Sequence, residues 1–468
     1  MATTPSSNTQ PAEGGTPVRL KLADAVKRAQ ELCAKGELEQ AEKYALAVLQ
    51  KRPKQAETMQ VLASIAERRG DQRRAIEILR EALTGAPTDA LALMNLCRAY
   101  RLQGQLKESR EAGEAAVRIG TVPDAISDLG DTYAAMGEAD LALEAFEHAV
   151  ARRPQLARAH LGLAHALLMK GEFRAGWSEY EWRYRLPATK DLLPKFTQPV
   201  WNGMPLKASR LLVICEQGFG DCFQFARYLP MVRARVASVV IGSGPEIRAV
   251  MANVAGEPYE THERWENLPP FHYQIPISSL PLVFGTTLET IPAAVPYLSA
   301  DPAKATAWRE RLDAAARGRK KVGFVWQGRP AHPNDRVRSA GLDALTPLLG
   351  LENILPVSLQ FGAGQEQLAN HPARGRVLDA SKDIKDFSDT AAVIAGLDCV
   401  VTIDSAIAHL AGAMAKPTFV MLSHAGEWRW LEKRTDSPWY PTLELVRQHA
   451  AGAWDGVVQR IAERLGQL

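Results

Sequence analysis

The segment Cys399-Val-Val-Thr-Ile-Asp404-Ser405-Ala406-Ile-Ala-His409-Leu-Ala-Gly412 brings together residue types that can bind a phosphate. A β-branched apolar run (Val400, Val401, Ile403) stops at Asp404-Ser405, and an alanine-rich apolar stretch begins at once. That order predicts a buried parallel strand passing into a helix through a polar turn. The first amides of a helix have no intrahelical acceptor and lie at the positive end of its dipole, so the turn is suited to an anion. His409, one turn further, points either at a ligand there or into the core. A second polar group follows the apolar run 322–326: Gln327-Gly-Arg329-Pro-Ala-His332-Pro-Asn334-Asp335-Arg336-Val-Arg338-Ser339. Three arginines in a strand-to-helix connection offer forked donors that fit phosphate, the alternative being a solvated charged loop. A third group, Glu216-Gln-Gly218-Phe-Gly220-Asp221, follows the run 211–215 and precedes a helix. It is no P-loop, because G-x-x-x-x-G-K-[ST] is absent, and Phe223 stands where a dinucleotide fingerprint has its third glycine. Asp221 with Gln224 three residues on also reads as a capping box.

The elements that would position these groups can be read around them. Beyond residue 206 short apolar runs alternate with helical stretches, the pattern of βαβ units and a parallel sheet. Strands are expected at 211–215, 239–241 and 273–275 in a first half (209–300). In a second half (301–468), opened by a helix over 303–316, they are expected at 322–326, 354–360, 376–379, 399–404 and 418–422. Two open α/β halves leave a crevice at the carboxyl ends of their strands, where ligands collect.

Upstream, the chain repeats itself. Gly36, Gly70, Gly104, Gly137 and Gly171 keep a period of 33 or 34 residues, and Pro53, Pro87 and Pro154 mark unit ends. That is the tetratricopeptide (TPR) period, and it predicts about five helix pairs over 19–186 stacked into an arc whose concave face binds other chains. Small and large positions recur, as in Ala75, Leu79 and Ala82 against Ala142, Phe146 and Ala149. The third unit is short, with Thr121-Val122-Pro123 where a proline near 121 is expected, which predicts a local bend. Trp177, Tyr180 and Tyr184 line one face of an aromatic stretch that either caps the repeats onto the α/β region or stacks a ligand. Prolines then set a linker over 187–208, and residues 1–18 read as a disordered tail without the charged and apolar regions of a secretory signal.

Composition excludes several classes. A formal charge of +3 over 468 residues gives no bulk field for nucleic acid or an anionic membrane. Five dispersed cysteines lack metal or disulfide spacing, which fits a reducing, cytoplasmic setting. No run of 18 apolar residues predicts a membrane span.

The ordered motifs Trp201-Asn-Gly203, Glu216-Gln-Gly-Phe-Gly-Asp221-Cys-Phe-Gln-Phe225, Asn334-Asp-Arg336-Val-Arg338-Ser339, Asp386-Phe-Ser-Asp-Thr390-Ala391 and Asp404-Ser-Ala-Ile-Ala-His409 support a family resemblance. Through them the chain resembles the bacterial TPR glycosyltransferases, whose catalytic half is of GT-B type and akin to the ADP-heptose transferases, and whose layout is similar to O-GlcNAc transferase. The resemblance covers nearly everything after the tail. It implies an α-helical TPR solenoid followed by an α/β GT-B region of two Rossmann-like halves, transferring a sugar from a nucleotide sugar without a metal or further cofactor. It implies a protein acceptor held by the repeats, with flagellin a candidate. Gly220-Asp221 matches the Gly-Asp that supplies the catalytic carboxylate, making Asp221 the base. Asp404-Ser405-Ala406-Ile-Ala-His409 matches the Asp-Thr-Gly-x-x-His that holds the donor diphosphate; serine keeps the hydroxyl, whereas Ala406 adds a methyl where backbone nears phosphate. The donor-binding set is Gly218, Gly220, Gln327, Arg336, Arg338, Gln360, Asp404, Ser405, Ala406 and His409. No counterpart of the activating lysine of O-GlcNAc transferase is present. Trp428 and Trp430 either wall the pocket or pack. A non-catalytic repeat scaffold with a ligand-sensing half, and an enzyme acting on a lipid or glycan, are the competing functions.

Overall fold

The repeat glycines are fixed by backbone conformation. In the computed structural model Gly36, Gly70, Gly104, Gly137 and Gly171 all have φ between +74° and +85°. At Gly36 the glycine N–H donates to Cys33 O at 3.1 Å and the next N–H, of Glu37, to Leu32 O at 3.0 Å, and the other four turns repeat the pattern. This is the Schellman closure, which needs a left-handed residue and therefore favours glycine. The structure describes residues 21–120, 122–187, 189 and 193–467. The tail expected at 1–18 lies outside them, as does Thr121 in the expected bend.

The repeat helices are α1 (Leu22–Lys35), α2 (Leu38–Lys51), α3 (Ala56–Arg68), α4 (Gln72–Gly85), α5 (Ala90–Gln103), α6 (Leu106–Ile119), α7 (Pro123–Met136), α8 (Ala139–Arg152), α9 (Ala157–Met169) and α10 (Phe173–Tyr180). The small residues Ala75, Ala82, Ala142 and Ala149 are buried with Leu79 and Phe146. Gly162 shows why small residues are needed: a Cβ there would lie 2.3 Å from Phe146 Cε1, so α8 and α9 can cross only over a glycine.

The chain parts into two compact units between Thr132 and Tyr133, inside the repeats and not at the expected linker 187–208. The first unit has its own core around Ala63, Leu79, Leu96 and Cys97. It also holds a buried polar knot in which Ser109 Oγ donates to Cys97 O at 2.7 Å and lies 2.9 Å from Thr132 Oγ1.

In the second unit the last repeat helices share one core with the α/β region. Trp177 is buried, donates Nε1–H to Thr286 O at 3.1 Å, and meets Trp428 edge-on at 5.4 Å and Phe225 at 6.2 Å. The aromatic stretch therefore packs. Further on, Trp201 is buried and Val200 is bridged to Gln274.

The first sheet has β1 (Leu206–Ile214), β2 (Val236–Ser243), β5 (Glu260–Glu263) and β6 (Tyr273–Pro276), with a ribbon of β3 (Asn253–Val254) and β4 (Glu257–Pro258) beside it. The second has β7 (Lys320–Val325), β8 (Ile354–Ser358), β9 (Leu378–Asp379), β10 (Cys399–Ile403), β11 (Thr418–Leu422) and β12 (Leu443–Arg447). Between strands run α11 (Phe219–Phe225), α12 (Leu229–Arg233), α13 (Pro245–Met251), α14 (Leu280–Val283), α15 (Pro302–Ala316), α16 (Asp335–Arg338), α17 (Thr346–Leu349), α18 (Gln365–Asn370), α19 (Phe387–Gly396) and α20 (Ala406–Ala413), with α21 (Asp455–Leu465) last. Both sheets are parallel, ordered β5-β2-β1-β6 and β12-β11-β10-β7-β8-β9. Counted in chain order, the second is 3-2-1-4-5-6, the doubly wound order, and the first is its 3-2-1-4 portion. β5 and β12 were not expected: Glu-Thr-His-Glu has no apolar signature, because an edge strand buries little. The strand expected at 376–379 shrinks to two residues, and that at 354–360 stops at Ser358.

The strand order reverses between β1 and β6 and between β7 and β10, and a crevice can open at each reversal. At the first, side chains that follow α10 fill it. Tyr184 Oη donates to Glu216 Oε1 at 2.8 Å, and the buried Arg183 donates to Ser278 Oγ and Ser279 Oγ, both at 2.9 Å. The second reversal lies at the residues that follow β7 and β10.

Candidate functional site

β10 ends at Ile403, and the chain enters α20 through Asp404 and Ser405. Ser405 caps the helix, its Oγ accepting the Ile407 N–H at 3.3 Å and lying 3.0 Å from Thr402 Oγ1. Opposite, the loop after β7 is folded around the buried Asp335. Its Oδ1 accepts Ser339 Oγ–H at 3.0 Å, while Ser339 Oγ accepts the Gly328 N–H at 2.9 Å. This loop is therefore built, and it aims Arg338 across the reversal, with Nη1 donating to Asp404 O at 3.3 Å. Arg336 carries an exposed side chain.

Gln360 is engaged by backbone. Buried, it accepts the Trp326 and Gln327 N–H groups at 3.0 Å each and donates to Gln327 O at 2.9 Å and Ala363 O at 2.7 Å. All its amide capacity goes to backbone, which makes it the clamp on the exit from β7. Gln327 faces α18 and accepts from Gln367.

On the first sheet α11 starts at Phe219, earlier than the capping box at Asp221 requires. Gly218 is the cap, and Asp221, third in the helix, accepts the Gly218 N–H on Oδ2 at 3.0 Å. Gly220 has a packing reason: a Cβ there would lie 2.8 Å from His409 Cδ2 and 3.5 Å from Ala406 Cα. The first turns of α11 and α20 thus begin against each other. His409 belongs to this contact. It is buried, stacked on Trp430 at 5.1 Å, and its Nδ1 lies 2.9 Å from Tyr440 Oη. Burial first, then Arg429 and Arg227, push its pKa well below the ordinary value, so it is a neutral core imidazole.

Arg429 sits against the start of α11, and sequence reading missed it. It pairs with Asp221 and with Glu427, donates Nε–H to Gln224 Oε1 at 3.0 Å, and lies 4.2 Å over the Trp428 ring. Burial works against its charge, yet Asp221, Glu427 and Asp404 hold its pKa above the usual range. Burial raises Glu427 to about 7; Arg429 opposes this, while Asp404 and Asp221 add to it. One guanidinium thus pairs with carboxylates from two segments, Asp221 and Glu427, and feels the charge of a third, Asp404. The only signal was Glu427 and Arg429 flanking tryptophans, and those tryptophans, both buried, are packing.

A cleft of about 720 Å³ opens beside the ends of β8 and β9, lined by Gly362, Gln365, Arg374, Leu378, Asp379 and Lys382 among others; Asp221, Arg338 and Ser405 do not line it. Among the described residues no group of three or more His, Cys, Asp or Glu is placed to hold a metal ion, and no helix is long and apolar enough to cross a membrane.

Fold and site define a TPR-repeat chain continued by an α/β region with two parallel sheets. The tetratricopeptide repeat family model matches residues 26–90, 61–122 and 127–175. Protein FlbA of Caulobacter vibrioides (strain ATCC 19089 / CIP 103742 / CB 15) is 27% identical over 446 residues, covering 88% of this chain and 73% of that protein. Among solved structures, MamA is 27% identical over 33% of this chain and 91% of its own, with a TM-score of 0.29. A thermophilic TPR protein of Thermus thermophilus is 21% identical over 37% of this chain and 94% of its own, with a TM-score of 0.33.

Proposed function

We propose that the chain is a GT-B glycosyltransferase that moves a sugar from a nucleotide sugar to a hydroxyl of a protein held by its repeats. One observation carries the reading: two helix starts from two parallel sheets meet at Gly220 and Ala406, with Asp221 on one, the Ser405 turn on the other, and Arg338 and Arg429 beside them. The α20 amides and Arg338 suit the diphosphate of a departing nucleotide, and in this reading Asp221 takes the acceptor proton. The acceptor oxygen forms its bond to the anomeric carbon as the bond to phosphate breaks, and the nucleotide leaves with that electron pair. The cleft beside β8 and β9, in the same half as the Ser405 turn, has room for a nucleoside. Flagellin is one candidate for the protein acceptor, through the sequence resemblance alone.

One observation favours a scaffold without catalysis: both Asp221 oxygens are engaged, one by Gly218 N–H and one by Arg429. Hydrolysis of UDP-, GDP-, ADP- and CMP-sugars by the full chain, with and without EDTA, separates the two. Turnover of one nucleotide class that survives chelation is expected; a folded chain inert toward all four overturns the enzyme and leaves the scaffold.

A further inference from the structure

His165 is a repeat side chain placed at this site that neither motif nor resemblance accounts for. It lies on α9, in the register position that Ser64, Arg98 and Asp131 hold in the three preceding repeats. α9 packs on the turn 428–430, and the His165 ring lies 5.9 Å from Tyr180, which itself lies 6.0 Å from Trp428. Arg429 follows Trp428 and pairs with Asp221, so His165 lies beside the charged cluster, within electrostatic reach of both.

Its exposure is as informative as its place. The ring is solvent-exposed, and neither nitrogen has a hydrogen-bond partner among the described residues. Even so, surrounding protein pushes its pKa down to about 4; Arg429 adds to this and Asp221 opposes it. A side chain that touches solvent yet is desolvated stands on the wall of a crevice. At neutral pH it is a neutral imidazole with one free donor and one free acceptor.

We propose that His165 is an acceptor-binding residue of this site: its free ring nitrogen holds the incoming hydroxyl against Asp221. The assignment rests on the glycosyl-transfer reading and deepens it. The last repeat would then form part of the acceptor subsite, so a polypeptide lying on the repeats is delivered at the reacting carbon without a separate docking step. The substrate class is a hydroxyl-bearing side chain.

The test uses water as the acceptor. In the full chain, His165→Phe keeps the ring volume and removes both nitrogens, whereas His165→Gln keeps a donor and an acceptor. His165→Phe should lower kcat for hydrolysis of the competent nucleotide sugar about 10-fold or more, as expected for a lost hydrogen bond to the reacting group. His165→Gln should recover most of that rate. Calorimetry should find the affinity for the matching nucleotide unchanged in both, which a merely structural role would not guarantee. Circular dichroism checks the fold, and the exposed position makes loss of folding unexpected. Wild-type kcat in His165→Phe, or equal losses in Phe and Gln variants, overturns the assignment. Failure of the wild-type chain to hydrolyse any of the four nucleotide classes is a different result: it removes the glycosyl-transfer reading, and this assignment with it.

Discussion

Asp221→Asn separates the base role proposed for this residue from its contacts as a cap and ion-pair partner. The substituted amide keeps an oxygen for the Gly218 N–H, so the start of α11 stays capped. What it removes is the charge opposite Arg429, leaving Glu427 as that guanidinium's close partner. Glu427 is raised to about 7 by burial, in part against the nearby Asp221 charge, so it should ionise more readily in the variant. Arg429 thus keeps a counter-ion, and the fold should hold. A general base typically contributes about 10²–10⁴-fold, so transfer and donor hydrolysis should fall by that factor. Nucleotide affinity, which the proposed function assigns to the α20 turn and Arg338, should change by no more than about 3-fold, equivalent to less than 1 kcal/mol. Single-turnover kinetics with calorimetry on the same preparation reads both. Unchanged turnover in a folded Asp221→Asn chain would refute the argument and reduce Asp221 to a cap and an ion-pair partner.

Arg338→Ala should weaken nucleoside-diphosphate binding by about 1.5–3 kcal/mol and Ser405→Ala by about 1 kcal/mol, the latter with a comparable loss of stability because Ser405 also caps α20; full affinity of Arg338→Ala by calorimetry would misplace the phosphate site. Trp177→Ala should destabilise the second unit by about 3–5 kcal/mol in denaturant unfolding, and a chain beginning at Pro199, which loses Phe173, Trp177 and Tyr180 from that core, should not fold cooperatively. A cooperative transition in that shortened chain would show that the repeat helices are dispensable. Glu427 has a folded pKa of about 7, above its ordinary value, so the folded state binds the extra proton between those limits. Stability should therefore fall as pH rises from about 4.5 to about 7, by on the order of 2–3 kcal/mol, and Glu427→Gln should flatten that slope.

The sequence by itself determined whatever depends on local pattern. The period of the glycines follows from a backbone requirement, the left-handed closure of each first helix, and that requirement is written at every repeat. The runs at 399–403 and 418–422 are buried on both faces and so carry a continuous apolar signature. The Ser405 turn was legible for the same reason, since a cap is a contact between near neighbours. Tertiary structure decided the rest. The polar edge strand β5 exists only because β2 offers it hydrogen bonds. Gln360 carries no local mark of its work; only the fold brings it to the backbone of Trp326 and Gln327. The break between compact units falls inside the repeats because Trp177 and its neighbours bury themselves in the α/β core, a choice made by surface 109 residues away at Thr286. Asp221 and Arg429 meet across 208 residues. A charge can be read from a sequence, but its partner, and hence its pKa and its chemistry, is set by which distant segment the fold places within reach.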